Sequence, residues 1–228
     1  MPRPDDPPPA SPPSVVSAAV TLALAVGVFG ISFGVLAVAA GLSVVQACAM
    51  SMLVFTGASQ FAAIGILDGG GSPAAALGTA LLLAARNMAY GIALGPVLPG
   101  SRARRLLAAQ LVIDESTALA LAETEPARQR QAFWAAGLGI FICWNVATAA
   151  GALGGQVLGD PETFGLDAAF PAGFLALLAP HLRTADGRLA AALGAAIVLV
   201  LVPLVPEGLP ILVAALAALV GLRRGAEA

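Results

Sequence analysis

The sequence predicts an all-α, polytopic membrane protein with about seven transmembrane helices. Three features of its composition support this fold class. Of 228 residues, 59% are hydrophobic and 11% are charged, and the mean hydropathy is +0.91. An average globular domain is roughly 25% charged, so this chain has too few charges to cover a surface exposed to water. Aromatic residues make up only 5%, and the abundance of alanine and glycine is typical of helices that pack closely inside a bilayer.

Composition also excludes several function classes. The net charge is −2, and all 11 basic residues are arginine, which argues against nucleic-acid binding because that requires a clustered basic face. Two cysteines, Cys48 and Cys143, lie in apolar runs and exclude a disulfide scaffold and a zinc ribbon. His181 is the only histidine, so a histidine metal site is unsupported. We predict neither a metal nor a cofactor.

The chain divides into a tail, a membrane domain and a short end segment. Residues 1–14 contain seven prolines, which predicts a disordered tail. They lack the basic start and apolar core of a signal peptide, so the first apolar segment is expected to be a retained span. We predict a single permease domain over residues 15–223 and a short cytoplasmic tail over residues 224–228.

Hydropathy predicts the spans, since a crossing helix needs roughly 20 apolar residues. The seven apolar segments are Val15–Ala40, Val44–Leu67, Ala74–Leu98, Phe133–Leu158, Ala168–Leu182, Leu189–Val202 and Leu209–Leu222. Leu106–Ala122 is apolar except for Gln110 and two acids, and we predict a re-entrant or amphipathic segment there.

Arginine placement predicts the orientation, because positive residues favour the cytoplasmic side. If Leu106–Ala122 does not cross and the N-terminus is outside, nine arginines lie inside and one lies outside. If that segment crosses and the N-terminus is inside, the count is seven against three. The first topology, which also has a cytoplasmic C-terminus, is preferred.

A short repeat suggests internal symmetry. Gly41-Leu42-Ser43 joins the first two predicted spans, and Gly165-Leu166-Asp167 joins Phe133–Leu158 to Ala168–Leu182. Three spans after each start would give two oppositely oriented units, the inverted-repeat plan of many secondary transporters. The alternative is a chance match of tripeptides.

Arg86 lies at membrane depth, about twelve residues into its predicted span, where an arginine costs roughly 2.5–3.5 kcal/mol on insertion scales. It therefore predicts either a site for a substrate carboxylate or an ion pair with Asp114 or Glu115. Tyr90 shares its helix face and could contact the same site. Asn87 lies about 100° around the helix and could bind substrate or a neighbouring helix.

The run Phe55–Phe61 places Thr56, Ser59 and Gln60 in the middle of a predicted span, next to a glycine. A local break of the helix would free backbone groups to bind a solute. Ordinary close packing, with the hydroxyls bonded to the chain, is the equal alternative. Gln60 is informative because a buried amide needs several hydrogen-bond partners.

Asp114 and Glu115 are adjacent acids in an apolar stretch. They predict a segment that dips into the membrane, where a desolvated carboxylate could carry a coupling proton. A surface helix with solvated acids is the alternative. Asn145 is a further candidate for substrate contact, although bonding between helices is the commoner role of such an amide. Gly30 and Gly34 form a GxxxG pair and predict close approach of another helix.

Three motifs together resemble the AzlC family, which forms the larger subunit of branched-chain amino acid exporters. They are Phe55–Phe61, Arg86–Gly91 and Asp114–Leu119, in that order, and the resemblance extends over residues 15–223. The family commonly has histidine where this chain has Asn87, and Thr-Phe where it has Ser116-Thr117. The first difference weakens a role for histidine in proton relay.

The resemblance implies a permease of the bacterial cytoplasmic (inner) membrane that exports valine, leucine, isoleucine and methionine. It also implies proton coupling and a small hydrophobic AzlD-type partner subunit. The alternatives are a channel or non-transporting membrane subunit and, least favoured, an intramembrane hydrolase. Gly57-Ala58-Ser59 superficially matches a Gly-x-Ser nucleophile, but that chemistry needs a base within reach and His181 lies at a span end. We therefore do not predict an enzyme.

Overall fold

The computed structural model describes residues 14–158, 181–205 and 209–218, together with residues 175, 178 and 179. Within these residues all regular secondary structure is helical, which confirms the predicted all-α class. Two short 3₁₀ turns lie at His181–Arg183 and Ala215–Ala218. The helices are α1 (Val15–Ala39), α2 (Val44–Leu53), α3 (Gly57–Asp68), α4 (Pro73–Ala84), α5 (Arg86–Leu94), α6 (Arg102–Gln110), α7 (Asp114–Leu121), α8 (Pro126–Leu158), α9 (Ala185–Leu201) and α10 (Leu209–Ala214).

Serine side chains define where four of these helices begin. Ser14, Ser43, Ser72 and Ser101 precede α1, α2, α4 and α6, and each hydroxyl accepts a hydrogen bond from the backbone N–H three residues later. Such caps satisfy amide groups that have no partner inside the helix. The local sequence therefore determines where these four helices start.

Three helices are long and apolar enough to cross a membrane: Val15–Ala39, Pro73–Leu94 and Pro126–Val157. The second consists of α4 and α5, with a single-residue interruption at Ala85. About seven spans were predicted from hydropathy, and the described part of the chain does not confirm that number.

α1 and α8 form the central packing pair through a seam of glycines. A Cβ atom added at Gly30 would lie 2.8 Å from the Trp144 carbonyl oxygen, and one at Gly34 would lie 2.6 Å from the Ala152 nitrogen. The two backbones are thus in direct contact, and the close approach predicted from the GxxxG pair is confirmed. Ordinary side chains at these positions would separate the helices.

The order of contacts shows that α1 and α8 run in the same direction. Ala23 lies against Gly139, Gly27 against Cys143, and Val35 against Gly155. Residue numbers rise together along both helices, so both begin at one end of the molecule, the near end, and finish at the other, the far end. Oppositely oriented units that start at these two helices were predicted, and that prediction is wrong.

α4 and α5 carry the chain back from the far end to the near end. Leu98, just after α5, lines the same shallow depression as Arg130 and Trp134 at the beginning of α8. The 22-residue segment Pro73–Leu94 is about 33 Å long at 1.5 Å per residue. α4 therefore begins at the far end, and one crossing separates the parallel helices α1 and α8.

Residues 44–68, predicted to span, form a re-entrant hairpin that enters from the far end. α2 and α3 have 10 and 12 residues, so the arms are about 15 and 18 Å long, roughly half of a 30 Å hydrocarbon layer. The Ser51 hydroxyl lies 3.2 Å from that of Thr148. The Phe55 ring lies 5.0 Å from that of Phe141, nearer the start of α8. α3 then returns to the far end, where α4 begins.

α6 and α7 form a second re-entrant hairpin, which enters from the near end. Their 9 and 8 residues give arms about 14 and 12 Å long. In the first turn of α6, the Arg104 guanidinium lies 5.7 Å from the centre of the Trp134 ring. α7 packs against α8 and is joined to it by residues 122–125. Both arms of this hairpin thus connect to the near end, which agrees with the re-entrant segment predicted for Leu106–Ala122.

The hairpins change the predicted topology. Five arginines at the starts of α6 and α8, namely Arg102, Arg104, Arg105, Arg128 and Arg130, lie at the near end, where α1 begins. The seven-span topology placed them across the membrane from the N-terminus, and this prediction is wrong. Hydropathy read residues 44–67 as one crossing because it detects apolar length and not a reversal of chain direction.

The two hairpin units repeat in sequence with an offset of 58 residues. Ser14 and Ser72 cap the first helix of each unit, and Ser43 and Ser101 cap the first hairpin arm. The tips also match, with Leu-Val-Phe-Thr at 53–56 and Leu-Val-Ile-Asp at 111–114. Since α1 and α4–α5 run in opposite directions, residues 14–68 and 72–121 form an inverted repeat. Gly165-Leu166-Asp167, used for the earlier repeat prediction, lies outside the described residues.

Sided labelling of single cysteines tests the hairpin topology. In a chain with Cys48 and Cys143 replaced by alanine, Leu42→Cys and Asp68→Cys are expected to react with an impermeant maleimide from one side, because both positions lie at the far end. Thr124→Cys is the matched control and is expected to react only from the other side. Labelling of positions 42 and 68 from opposite sides would restore residues 44–68 as a span.

The remaining described helices add little to the centre of the molecule. α9 packs against α10, and α10 contacts α4. α9 covers most of the predicted segment Leu189–Val202, and α10 lies in the predicted segment Leu209–Leu222. Most of Ala168–Leu182 lies outside the described residues.

Candidate functional site

The tips of the two hairpins meet at half-depth. The Gln110 side-chain amide at the end of α6 donates a 2.9 Å hydrogen bond to the Met52 carbonyl at the end of α2. Along α8, which runs from residue 126 to residue 158, one tip lies opposite Gly137 and the other opposite Phe141 and Trp144. These residues occupy the middle third of the helix. The contact between the tips therefore lies near the centre of the membrane-crossing layer.

The interruption between α4 and α5 lies at the same level. α3 and α4 pack side by side around the turn at residues 69–72. Thr56 directly precedes the 12-residue helix α3 and Arg86 lies two residues past the 12-residue helix α4, and each helix is about 18 Å long. Three interrupted helices thus have their breaks at one depth.

An ion pair joins the second and third breaks. Arg86 is the first residue of α5 and Asp114 the first of α7, and an Nη2–Oδ2 contact of 2.9 Å connects them, with 35% and 29% of the side chains exposed. The predicted pairing of Arg86 with an acid is confirmed, with Asp114 as the partner. Arg86 Nε and Asp114 Oδ1 are both buried and have no hydrogen-bond partner within the described residues.

The other predicted residues of α5 and α7 flank this pair. Tyr90 lies one turn after Arg86 and interacts electrostatically with Asp114. Asn87 and Glu115 are half-buried beside the two members of the pair. The structure therefore brings Arg86, Asp114, Glu115 and Tyr90 together as the sequence predicted, and their roles in transport stay predictions.

The polar run in the first hairpin coincides with a true helix break. α2 ends at Leu53 and α3 begins at Gly57, and Thr56 provides no side-chain cap. Of the two readings left open from the sequence, the structure has the broken helix. The hydroxyls of Thr56 and Ser59 and both amide atoms of Gln60 are buried with no hydrogen-bond partner in the described residues, and Ser59 and Gln60 are fully buried.

An aromatic cluster supports this break. The Trp144 ring lies 3.1 Å from where a Cβ of Gly57 would be. Phe33 stacks on Trp144 with 6.3 Å between ring centres, and Phe61 meets it edge-on at 6.2 Å. Gly57 is thus the residue that allows α3 to begin directly against the indole. The tip is held by packing, since such aromatic contacts add about 0.5–1.5 kcal/mol each.

Asn145 is placed differently from the other candidates. Its amide donates a 2.8 Å hydrogen bond to the Phe141 carbonyl one turn earlier in α8. This bond satisfies the donor locally, and the described contacts do not connect Asn145 with the Arg86–Asp114 pair. A substrate contact of Asn145 stays a prediction without structural support.

Sequence reasoning missed three polar residues of the site and one buried hydroxyl outside it, that of Thr79 in α4. Thr79 and Thr117 are buried with unpartnered hydroxyls, and Gln110 bridges the tips. Ser116 closes the α7 tip by donating to the Leu111 carbonyl at 2.6 Å and accepting from the Ile113 N–H at 3.1 Å. The offset of 58 residues could have identified Thr117 because it aligns with Ser59. No group of metal-ligating side chains occurs within the described residues.

Comparison with known proteins identifies the family of this chain. The family model described as AzlC protein matches residues 21–158, which contain α1 to α8 and both hairpin tips. No significant match was found among curated proteins or among solved structures. The matched segment covers more than half of the chain, and the chain therefore belongs to the AzlC family, whose members are membrane proteins associated with branched-chain amino acid transport.

Proposed function

We propose that this protein is a secondary transporter that exports branched-chain amino acids, with methionine as a further substrate, across the bacterial cytoplasmic membrane. The observation that carries the proposal is the meeting of two half-membrane hairpins at a centre rich in unpartnered polar groups. Interrupted helices at the membrane midplane are the usual construction of transporter substrate sites. Polar groups that lack partners there are costly unless a ligand satisfies them.

The chemistry of this centre suits an amino acid. A zwitterion needs both a partner for its carboxylate and a partner for its ammonium group, and the centre offers Arg86, three neutral polar side chains and two acids within one level. The polar residues that we assign to the substrate site are Thr56, Ser59, Gln60, Arg86, Asn87 and Tyr90. Neighbouring alanine, leucine and phenylalanine side chains would accept an aliphatic group.

The proposal includes proton coupling, a partner subunit and an orientation in the membrane. Asp114 and Glu115 are the acids at half-depth, so they are our candidates for the coupling proton, in line with the usual role of intramembrane carboxylates. We also propose an AzlD-type small hydrophobic subunit as the partner. The five arginines at the starts of α6 and α8 favour the cytoplasmic side for the near end, and with it for the start of α1, by the positive-inside rule.

An efflux assay tests the function. Cells loaded with a panel of amino acids are expected to release valine, leucine and isoleucine faster when they express the chain together with an AzlD-type subunit, and release should saturate with internal substrate. Dissipating the proton gradient should slow it. Non-saturating release that ignores the gradient would indicate a channel, and no release of any amino acid above that of cells without the chain would overturn the proposal.

A further inference from the structure

The two hairpin tips are equivalent in architecture and opposite in chemistry. α3 and α7 are corresponding helices of the inverted repeat, and both begin at a break near the membrane centre. Where α3 has Thr56 and Gly57, α7 has Asp114 and Glu115. The start of α3 thus carries hydroxyls and no acid, whereas the start of α7 carries two carboxylates.

The start of α3 has the properties of an anion site. The N–H groups of Gly57 and Ala58 have no partner among the described backbone contacts, whereas those of Ser59 and Gln60 bond the Thr56 carbonyl. No side chain caps the helix, and the helix dipole favours negative charge at this end. A second, independent observation points to a ligand there. Ser59 and Gln60, both fully buried, keep their polar atoms without partners, and side chains in a helix lean toward its N-terminus.

The start of α7 has the properties of a cation site. The Arg86 guanidinium contacts Asp114 Oδ2, while Asp114 Oδ1 is buried and has no hydrogen-bond partner in the described residues. Two acidic side chains and one guanidinium lie at this start, so a substrate ammonium is favoured here over a carboxylate. A substrate carboxylate approaching Arg86 would instead meet Asp114 and Glu115, and like charges repel strongly where the dielectric is low.

We propose that the substrate zwitterion lies between the two tips, with its carboxylate at the start of α3 and its ammonium at Asp114. The carboxylate would accept hydrogen bonds from the Gly57 and Ala58 backbone amides and from the Thr56 and Ser59 hydroxyls. Arg86 then acts as a positioning residue that holds Asp114 and offsets its charge. This inference rests on the proposed function and specifies how its substrate is bound.

Binding of valine and two truncated analogues tests the assignment. 2-Methylpropylamine lacks the carboxylate of valine and 3-methylbutanoate lacks its ammonium. Their apparent affinities for the purified full chain are obtained from the ligand-dependent rise of the unfolding temperature. In a Thr56→Val/Ser59→Ala variant, the preference for valine over the amine should fall about tenfold, the loss expected for a hydrogen bond to a charged group. Its preference over 3-methylbutanoate should stay within about threefold.

The reciprocal variants separate the two ends of the substrate. Asp114→Asn should lower the preference for valine over 3-methylbutanoate about tenfold and leave the preference over the amine intact. Arg86→Gln should weaken valine and the amine together and spare 3-methylbutanoate, since a positioning residue acts through Asp114. If Arg86→Gln alone removes the preference over the amine while Thr56→Val/Ser59→Ala retains it, the proposal is overturned.

Control variants distinguish misfolding of a variant from a result that contradicts the proposal. Thr79→Val removes another fully buried, unpartnered hydroxyl, in α4 and away from the tips, and should change neither preference. Ser59→Ala alone is the milder variant if the double variant is not monodisperse. Retained valine binding with unchanged preferences in the Ser59 variants refutes this inference alone. Failure of the wild-type chain both to bind and to export any amino acid refutes the proposed function as well.

Discussion

Replacing Arg86 by glutamine is expected to lower the unfolding temperature of the purified protein by about 5 °C and to abolish valine efflux. The change leaves Asp114 without its cation at half-depth in the membrane. Breaking a fully buried ion pair costs about 3–5 kcal/mol. Because about a third of each side chain is exposed, we expect about 1–3 kcal/mol, which for a chain of this size corresponds to several degrees.

A second variant and a matched ion pair separate charge from packing. Arg86→Gln/Asp114→Asn removes both charges and should regain at least half of the lost stability while transport stays absent. Arg128 pairs with Glu123 at 2.6 Å outside the hairpins, and exposed pairs contribute little, so Arg128→Gln should shift the unfolding temperature by less than about 2 °C. Equal effects of the Arg86 and Arg128 changes would contradict a special role for the central pair.

Adding one methyl group to the α1–α8 seam is expected to destabilise the whole molecule. A Cβ at Gly34 would lie 2.6 Å from the Ala152 nitrogen, and one at Gly151 would clash with the Ile31 carbonyl oxygen. Backbone atoms cannot turn aside as a flexible side chain does, so the helices must separate. Overpacking of this kind costs typically about 1–3 kcal/mol, and thermal unfolding in detergent should report the loss for Gly34→Ala and Gly151→Ala.

Gly91→Ala is the control, because it is expected to leave stability unchanged or to raise it. Gly91 lies within α5, and a Cβ there meets nothing within 4 Å. Alanine is preferred over glycine in a helix by about 1 kcal/mol, so Gly91→Ala should leave the unfolding temperature unchanged or raise it. A seam that tolerates alanine as well as Gly91 does would show that α1 and α8 are not held in direct backbone contact.

Much of the fold could be predicted from local sequence features, but the direction of the chain in each segment could not. The apolar runs located α1, α4–α5 and α8, and Gly30 and Gly34 indicated a tight helix contact. The reversal at residues 54–56 was invisible to hydropathy because its flanking arms, α2 and α3, are together as long as a span. Direction is decided by long-range contacts such as Phe55 with Phe141, and those are not encoded in any single segment.

The candidate site was predictable to the extent that charge is costly in a bilayer. Arg86, Asp114 and Glu115 stood out for that reason, and the predicted pairing of Arg86 was right. Gln110 was missed because a lone amide costs little enough to be common in membrane helices. Thr117 carried a usable signal in its alignment with Ser59, which becomes visible only when the chain is compared with itself at an offset of 58 residues.

The position of the hairpin tips has an electrical consequence. A site at half-depth lies at about half of the transmembrane potential, so moving one net charge to it from either aqueous side is worth about 1.2 kcal/mol per 100 mV. A zwitterion carries no net charge, and its binding should therefore not depend on voltage. A proton that reaches Asp114 or Glu115 crosses half of the transmembrane potential. Any voltage dependence of transport should therefore arise from proton movement and not from substrate binding.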